Sequence, residues 1–541
     1  MTEKATKRSG GFRFREKGLI ALTLCAAAFA SSAEFVPDRS VMSDEYWKIW
    51  TPEVQAKLDA DIENYRKADA EVEILAPEGT MVSVEQATHA FFFGAHIFNF
   101  NQLGTKERND RYKALYGKEG ALFNSATVAF YWRTFERFPG KPRFEAGQED
   151  SEAFWNNCPN PKEQPHWRRP PTDPVIDYLV SRGCRIHGHP LVWGNNTWMT
   201  PNWLWDELCP EAEKTALEKA TGVKIPRWDA TIPAGASSRK IGKKWTVAWE
   251  QIYKKLTGEQ IAALVPTFIK AQNECYERRI RQIGERYGDK IHSWDVVNES
   301  ATDFHRFGDK AVRNRPFDAS HYGLMPADYA YKAFMWAGKY LPKTAWFNLN
   351  DYNMSDAFFR QAKDIVAHGA RIDVVGSQMH LFDPKASLGI AAGKGSDHLR
   401  PENVAARFRL VSKADRPIHL SEITITAPDL SPKGQMIQAI IMRNLYRAWF
   451  SVEKMTGITW WNVVDDCGAP GEPSISGLFT RDMKPKTAYY AMDDLVNREW
   501  KTRTKVRTTD GKVRFRGFKG GYRLTWTGAD GIERSKTVDV R

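Results

Sequence analysis

Ser293-Trp294-Asp295-Val296-Val297-Asn298-Glu299-Ser300 is the stretch whose reading decides the fold of this chain. Its apolar, β-branched run is the pattern of a short buried strand. The run stops abruptly at Asn298-Glu299. A carboxylate at the end of a buried strand is costly unless it is paired or used. Pro417-Ile418-His419-Leu420-Ser421-Glu422 repeats the grammar, a short apolar strand that ends in a glutamate. A strand followed by a plain polar turn accounts for either segment alone, but the repetition weakens that account.

Glu299 and Glu422 stand 123 positions apart. A strand with its helix and loops takes roughly 30–40 residues, so about three βα units fit between them. In a closed eight-stranded barrel, strands three units apart lie nearly across the axis and end on the same face. Two carboxylates facing each other over one mouth is the arrangement glycoside hydrolysis needs.

The rest of the chain fits that frame. Strand-like segments fall at 89–95, 123–128, 185–193, 291–298, 344–350, 374–378, 418–422 and 457–461. Amphipathic stretches lie between them, among them 258–287, 328–340, 355–369 and 433–452. Such alternation marks an α/β fold. With no dinucleotide glycine fingerprint, a (β/α)8 TIM barrel is favoured over an open doubly wound sheet. The barrel is expected over 89–497, after a lead-in at 34–88 with a short helix at 52–65. Two long polar segments, 137–173 and 209–244, follow early strands on the expected active face, where long loops carry specificity. Residues 512–527 alternate apolar and polar around Lys519-Gly520-Gly521. They predict a small β-hairpin appendage over 498–541, pairing with strands near 71–85.

Composition excludes several classes. Hydrophobic content of 42% and charged content of 27% are those of a soluble globular protein. The net charge of +12 sits at the ends: residues 1–33 carry +4 (six Lys/Arg, two Glu) and 498–541 carry +8 (thirteen Lys/Arg, five Asp/Glu). The body between is neutral, which argues against nucleic acid as a partner. Residues 1–33 combine a basic start, an uncharged apolar run and small residues, the pattern of a secretory signal peptide. A secreted or periplasmic protein is therefore expected, and no later stretch reads as a membrane span. The five cysteines beyond residue 33 form no CxxC pair and no metal-like spacing.

Several motifs together resemble glycoside hydrolase family 10, the β-1,4-xylanase family. They are Trp294-Asp-Val-Val-Asn298-Glu299, His187-Gly188-His189-Pro-Leu-Val-Trp193, Asn350-Asp351-Tyr352-Asn353, Gly376-Ser-Gln378-Met-His380, Ser421-Glu422, and Trp460-Trp461 with the following 477–489 segment. The resemblance covers roughly residues 60–500. It implies a retaining endo-xylanase with Glu422 as nucleophile and Glu299 as acid/base, the latter kept protonated with help from Trp294 and Trp461. His380 would be the donor on Glu422, and Asn298 would bond the sugar 2-hydroxyl. His189, Trp193, Gln378 and Trp461 would line the subsite of the cleaved sugar. It implies a polysaccharide partner, no cofactor and no metal.

The chain departs from the family pattern in three places. Residues 126–136 lack the Glu, Asn and Lys that grip the next sugar toward the non-reducing end. Thr424 stands where the family carries an aspartate, and Gly194 where it carries a second histidine. These departures keep a hydrolase of another β-linked glycan in play. A metal-dependent barrel hydrolase using His187, His189, His380 and Asp465, or a non-catalytic glycan-binding protein, fits less well, because neither explains two glutamates ending two strands.

Overall fold

Eight parallel strands close on themselves in the computed structural model. It describes residues 34–228, 236–306, 317–320, 323–326, 328–395 and 399–541; the leader expected at 1–33 lies outside them. The strands are β1 (Phe92–His96), β2 (Ser125–Ala129), β3 (Arg185–His189), β4 (Ser293–Asn298), β5 (Trp346–Asp351), β6 (Val374–Leu381), β7 (Ile418–Ile425) and β8 (Met455–Trp460). They pair in chain order, and β8 closes onto β1. Every position of β2 and β4 is buried. Strands covered on both faces are mostly apolar, which is why they read as runs and not as alternation, and their buried polar side chains, such as Asp295 and Asn298, find partners.

A helix follows each strand before the next, from Lys106–Ala114 after β1 to Thr487–Asp493 after β8. Helix starts follow local chemistry. Ser431 accepts from the Gly434 N–H ahead of Pro432–Phe450, and proline occupies the first turn. The expected helix at 258–287 breaks in two, Gly258–Leu264 and Pro266–Tyr287, because Pro266 lacks the N–H to continue the ladder. The expected strand at 185–193 is likewise interrupted at Pro190, leaving β3 and a two-residue strand, Val192–Trp193.

Two expectations are corrected. Residues 209–244 are not simply a polar loop: they hold the helix Glu211–Thr221 and the start of Ala236–Tyr253. With Trp205, Trp249, Ile261 and Phe268 these elements build a separate core beside the barrel. Trp245, Trp249 and Ile252 fall at helical spacing on the second of these helices, a signal outweighed in the sequence by the polar residues before it. The second correction concerns 512–527. Lys512–Phe518 and Gly520–Thr527 do not form a hairpin with each other. The first pairs with Lys67–Glu73, the second with Met81–His89 and Glu533–Val540. At Gly520 the chain crosses between sheets with φ +147, and a Cβ there would meet the Thr88 carbonyl oxygen at 2.0 Å. Both sheets share a core of Val72, Val82, Val84, Phe515, Tyr522 and Leu524. The basic C-terminal strands thus fold together with the lead-in.

The lead-in helix Pro52–Arg66 is tied to the barrel by Arg66 Nε, which donates to the Phe450 carbonyl at 2.6 Å. Cys158, Cys184, Cys209, Cys275 and Cys467 are all free. Among the described residues no helix is long and apolar enough to cross a membrane.

Candidate active site

The C-terminal ends of β4 to β8 converge on one network of side-chain amides and carboxylates. Asn298 closes β4, and Glu299 follows in a left-handed turn with φ +54. A non-glycine residue there costs roughly 1–2 kcal/mol, so the conformation must be held from outside. The Glu299 N–H donates to the Asn350 carbonyl at 2.8 Å, which holds it. Asn350, near the end of β5, donates from Nδ2 to Asn298 Oδ1 and to Glu422 Oε1, both at 2.9 Å. Gln378 on β6 donates from Nε2 to Asn298 Oδ1 at 3.2 Å and to Glu299 Oε1 at 3.3 Å. Asn298 Oδ1 is therefore the node between the two glutamates: Asn350 runs from it to Glu422, and Gln378 runs from it to Glu299.

Two irregularities in the sheet aim these groups. In an ideal strand Asp295 and Asn298 would face opposite sides. The β4–β5 register shifts between Asp295 and Val297, and both side chains reach partners on β5, Asn348 and Asn350. The β6–β7 register shifts at Ser421, one residue before Glu422. Bulges beside active sites re-aim side chains in this way. Gly376 makes room: a Cβ there would stand 2.4 Å from Asn350 Oδ1.

Glu422 is 5% exposed. It accepts from Asn350, and His380, expected as its donor, holds Nε2 3.6 Å from Glu422 Oε2. His380 is steered by Thr424, whose hydroxyl meets Nδ1 at 3.0 Å, and by Phe382, stacked on its ring. His189 Nε2 lies 3.9 Å from Glu422 Oε1, and its Nδ1 bonds Asp295 Oδ2 at 2.7 Å. His187 Nε2 lies 3.0 Å from that same oxygen. Burial alone would push the Asp295 carboxyl up, but the two imidazoles reverse the shift and hold it well below the ordinary value. On its other side, His189 Nε2 meets the Tyr131 hydroxyl at 3.1 Å.

Trp461 follows β8 and forms the floor between these groups. Its ring meets His189 at 5.4 Å and His380 at 6.3 Å, and its Nε1 donates to Glu472 Oε1 at 3.3 Å. Trp193 lies across Tyr131, ring centroids 6.1 Å apart. All eight residues singled out from the sequence thus gather in one region. Trp294, expected to help Glu299, packs on Phe130 at 4.8 Å, on the far side of the β4 irregularity.

Sequence reasoning missed Asn350 as a donor and the whole wall made by Tyr131, Arg168 and Glu472. Arg168, 2% exposed, reaches His96 Nε2 at 3.0 Å, Asn462 Oδ1 at 3.1 Å and Glu472 Oε2 at 3.3 Å. Burial and this guanidinium keep His96 well below its usual value. Burial pushes Glu472 up, but Arg168, the Ala469 N–H and Asn462 bring it below the ordinary range. Tyr131 had a signal, its place in the altered 126–136 segment. The others sit in loops with no motif.

The altered segment itself does structural work. Arg133 Nη1 donates to the Asn196 carbonyl at 3.3 Å, and Trp132 Nε1 donates to Glu136 Oε2 at 2.7 Å. Both knit the wall together, and Tyr131 is the member that bonds His189.

For a metal, His189, Asp295 and Glu422 offer ligand atoms within 4.8 Å of one another. Asp295 Oδ2 and His189 Nδ1 are already committed to each other. Of the set allowed by the sequence, Asp465 holds Lys486 Nζ at 3.0 Å and the Gly477 N–H at 2.7 Å.

Fold and site together define a (β/α)8 barrel with two glutamates and a bed of aromatic and amide side chains at its C-terminal mouth. The model of glycosyl hydrolase family 10 matches residues 244–495, the segment that holds both glutamates. That match, with the relatives below, supports assigning the barrel to this family. It is 22% identical over 333 residues to endo-1,4-beta-xylanase A of Thermoanaerobacterium saccharolyticum, covering 60% of this chain and 22% of that protein. It is 22% identical over 331 residues to exoglucanase XynX of Acetivibrio thermocellus, covering 60% of this chain and 24% of that protein. To endo-1,4-beta-xylanase B of Paenibacillus barcinonensis it is 23% identical over 342 residues, covering 59% and 79%. The chain thus spans about a quarter or less of the length of two of these three relatives.

Proposed function

We propose that this protein is an exported, retaining, endo-acting hydrolase of β-1,4-xylosidic bonds in xylan. The observation that carries the reading is the hydrogen-bonded path Glu422–Asn350–Asn298–Gln378–Glu299 across the barrel mouth. Glu422 attacks the anomeric carbon from one side of the sugar and forms a glycosyl-enzyme. Glu299 protonates the leaving oxygen, then takes a proton from the water that releases the sugar. The Asn350 amide donates to Glu422 Oε1 and so orients its carboxylate. Asn298 and Gln378 stand where the sugar 2-hydroxyl would lie, and Trp461 offers its face to the ring. The names of two relatives, both xylanases, support xylan as substrate. The basic, apolar and small-residue order of 1–33 supports export.

A second reading, hydrolysis of another β-linked glycan by the same two glutamates, is supported by the altered wall at 126–136 and by a relative named exoglucanase. Reducing-end release from soluble xylan and from a β-glucan, with wild type beside Glu422→Ala and Glu299→Ala, separates the two. Xylan cleavage is expected, lost by roughly a thousandfold or more in Glu422→Ala. Glu299→Ala is expected to be partly spared on aryl glycosides whose leaving group needs little protonation. Near-normal activity in either variant removes that residue from its role. Cleavage of β-glucan alone replaces the first reading with the second.

A further inference from the structure

A second cavity lies at the base of the barrel, at the end opposite the two glutamates. It measures about 380 Å³, including the part open to solvent. Its walls are the end of the lead-in strand Met81–His89, the chain ahead of β2 and residues 496–501, beyond the helix Thr487–Asp493. Two side chains of the lining hold a buried N–H with no acceptor, at His89 Nε2 and Trp500 Nε1. The His89 proton sits on Nε2, because Nδ1 accepts from the Phe91 N–H at 2.9 Å. Burial, with Arg66 and Lys501 nearby, pulls this ring down to about 3, so it stays neutral. The indole N–H of Trp500 can only donate. Amides that share the lining are committed elsewhere: Asn124 Nδ2 donates to the Phe91 carbonyl at 2.9 Å, and Gln86 Nε2 to the Phe518 carbonyl at 3.3 Å. A buried donor without a partner is costly, and two on one cavity call for an acceptor inside it.

Charge says which acceptor. Lys118 and Lys501 line the cavity, and no Asp or Glu does. Lys501 is half-buried, and burial and Arg503 lower its pKa. The carboxylates that act on it from farther off are Glu85 and Glu119. Both are taken by arginines, Glu85 by Arg503 at 3.4 Å and Glu119 by Arg523 at 3.6 Å. We propose that this cavity binds a small oxyanion, a phosphate or a carboxylate, which accepts from His89 and Trp500 and pairs with Lys501. Water would take the two hydrogen bonds but brings no charge for the ammonium. The site is independent of the glycan cleft. Its walls come from both the appended sheet and the barrel, so a bound anion ties one to the other and stabilises the fold.

The test follows thermal unfolding of the full chain as sodium phosphate or sodium acetate is raised to about 50 mM, with sodium chloride holding the ionic strength fixed. Wild type is expected to gain a few degrees in Tm, saturably, with at least one of the two anions; the tighter one names the class of ligand. Lys501→Met is expected to raise the Kd read from that curve roughly tenfold, the loss of a charge-assisted pair. Trp500→Phe keeps a ring against Phe93 and removes the N–H, and is expected to raise Kd about threefold, the worth of one hydrogen bond. Should Lys501→Met fail to fold, Lys118→Met, at an exposed position, makes the same comparison. No saturable gain with either anion means that water alone fills the cavity and overturns the proposal. An equal gain in wild type and the lysine variant overturns it too, because the anion then acts elsewhere.

Discussion

The floor of the mouth and its wall are built by different means. The floor, Asn298, Glu299, Asn350, Gln378 and Glu422, stands on or directly after strand ends and is cross-linked side chain to side chain. The wall, Tyr131, Arg168 and Glu472, stands just past β2 and on two loops far apart in sequence, and is held by one buried ion pair and contacts to His96, His189 and Asn462. Strand ends are placed by ladder register, so a floor residue keeps its position when a neighbour is altered. A loop residue is placed by the contact itself. Substitutions in the floor should therefore cost chemistry, and substitutions in the wall should cost binding and stability.

The sharpest way to break this contrast is Asn350→Ala set against Tyr131→Phe. Asn350 donates to both Glu422 and Asn298, so its loss is expected to lower kcat about a hundredfold with KM little changed, as loss of a preorganised donor does. Tyr131→Phe removes one hydroxyl from His189 and is expected to change kcat/KM only about threefold, the worth of a single neutral hydrogen bond. Equal effects in steady-state kinetics would mean that floor and wall act as one unit.

The two regions are also expected to respond to pH with opposite sign. Asp351, at the end of β5, accepts from the Ala301 and Asn353 N–H groups, yet burial raises its pKa to about 6 from the ordinary 3.8. Between those values the folded chain keeps a proton the unfolded chain has lost, so its contribution to stability falls as pH rises from about 4 to about 6. The drop is on the order of 3 kcal/mol. Glu472 in the wall lies below its ordinary value, so its contribution is complete above pH 4.5 and is lost as pH falls through the folded value. Urea unfolding across pH 3–7 is expected to show the first slope flattened in Asp351→Asn and the second flattened in Glu472→Gln. The same slopes in wild type and both variants would remove these groups as the cause.

The smallest expected effect sharpens the picture within the floor. Thr424→Asp places a carboxylate beside His380 Nδ1, which meets the Thr424 hydroxyl at 3.0 Å. A charge-assisted bond in place of the neutral one is expected to hold the His380 ring more firmly beside Glu422 and to change kcat/KM by no more than about threefold. A loss as large as that of Asn350→Ala would mean that His380 matters to the nucleophile as much as Asn350 does.

The sequence by itself determined the barrel, its eight strands and the two glutamates, one directly after β4 and one within β7, which runs on to Ile425. Buried parallel strands are rich in apolar residues, so each leaves a local run, and a carboxylate interrupting such a run is conspicuous. It also contained Asn350 and Tyr131 without revealing what they do, because a hydrogen bond between strands depends on register. The irregularities at Val296 and Ser421 alter which face each side chain takes, and no local pattern encodes them. Tertiary structure alone decided the wall. Arg168 and Glu472 are 304 positions apart, and nothing in either loop names the other. It also decided the route of 512–527. The glycines read as a hairpin turn, but Met81–His89 and Lys67–Glu73 compete for the two strands as pairing partners, and the sheets they complete bury a shared core that an isolated hairpin could not.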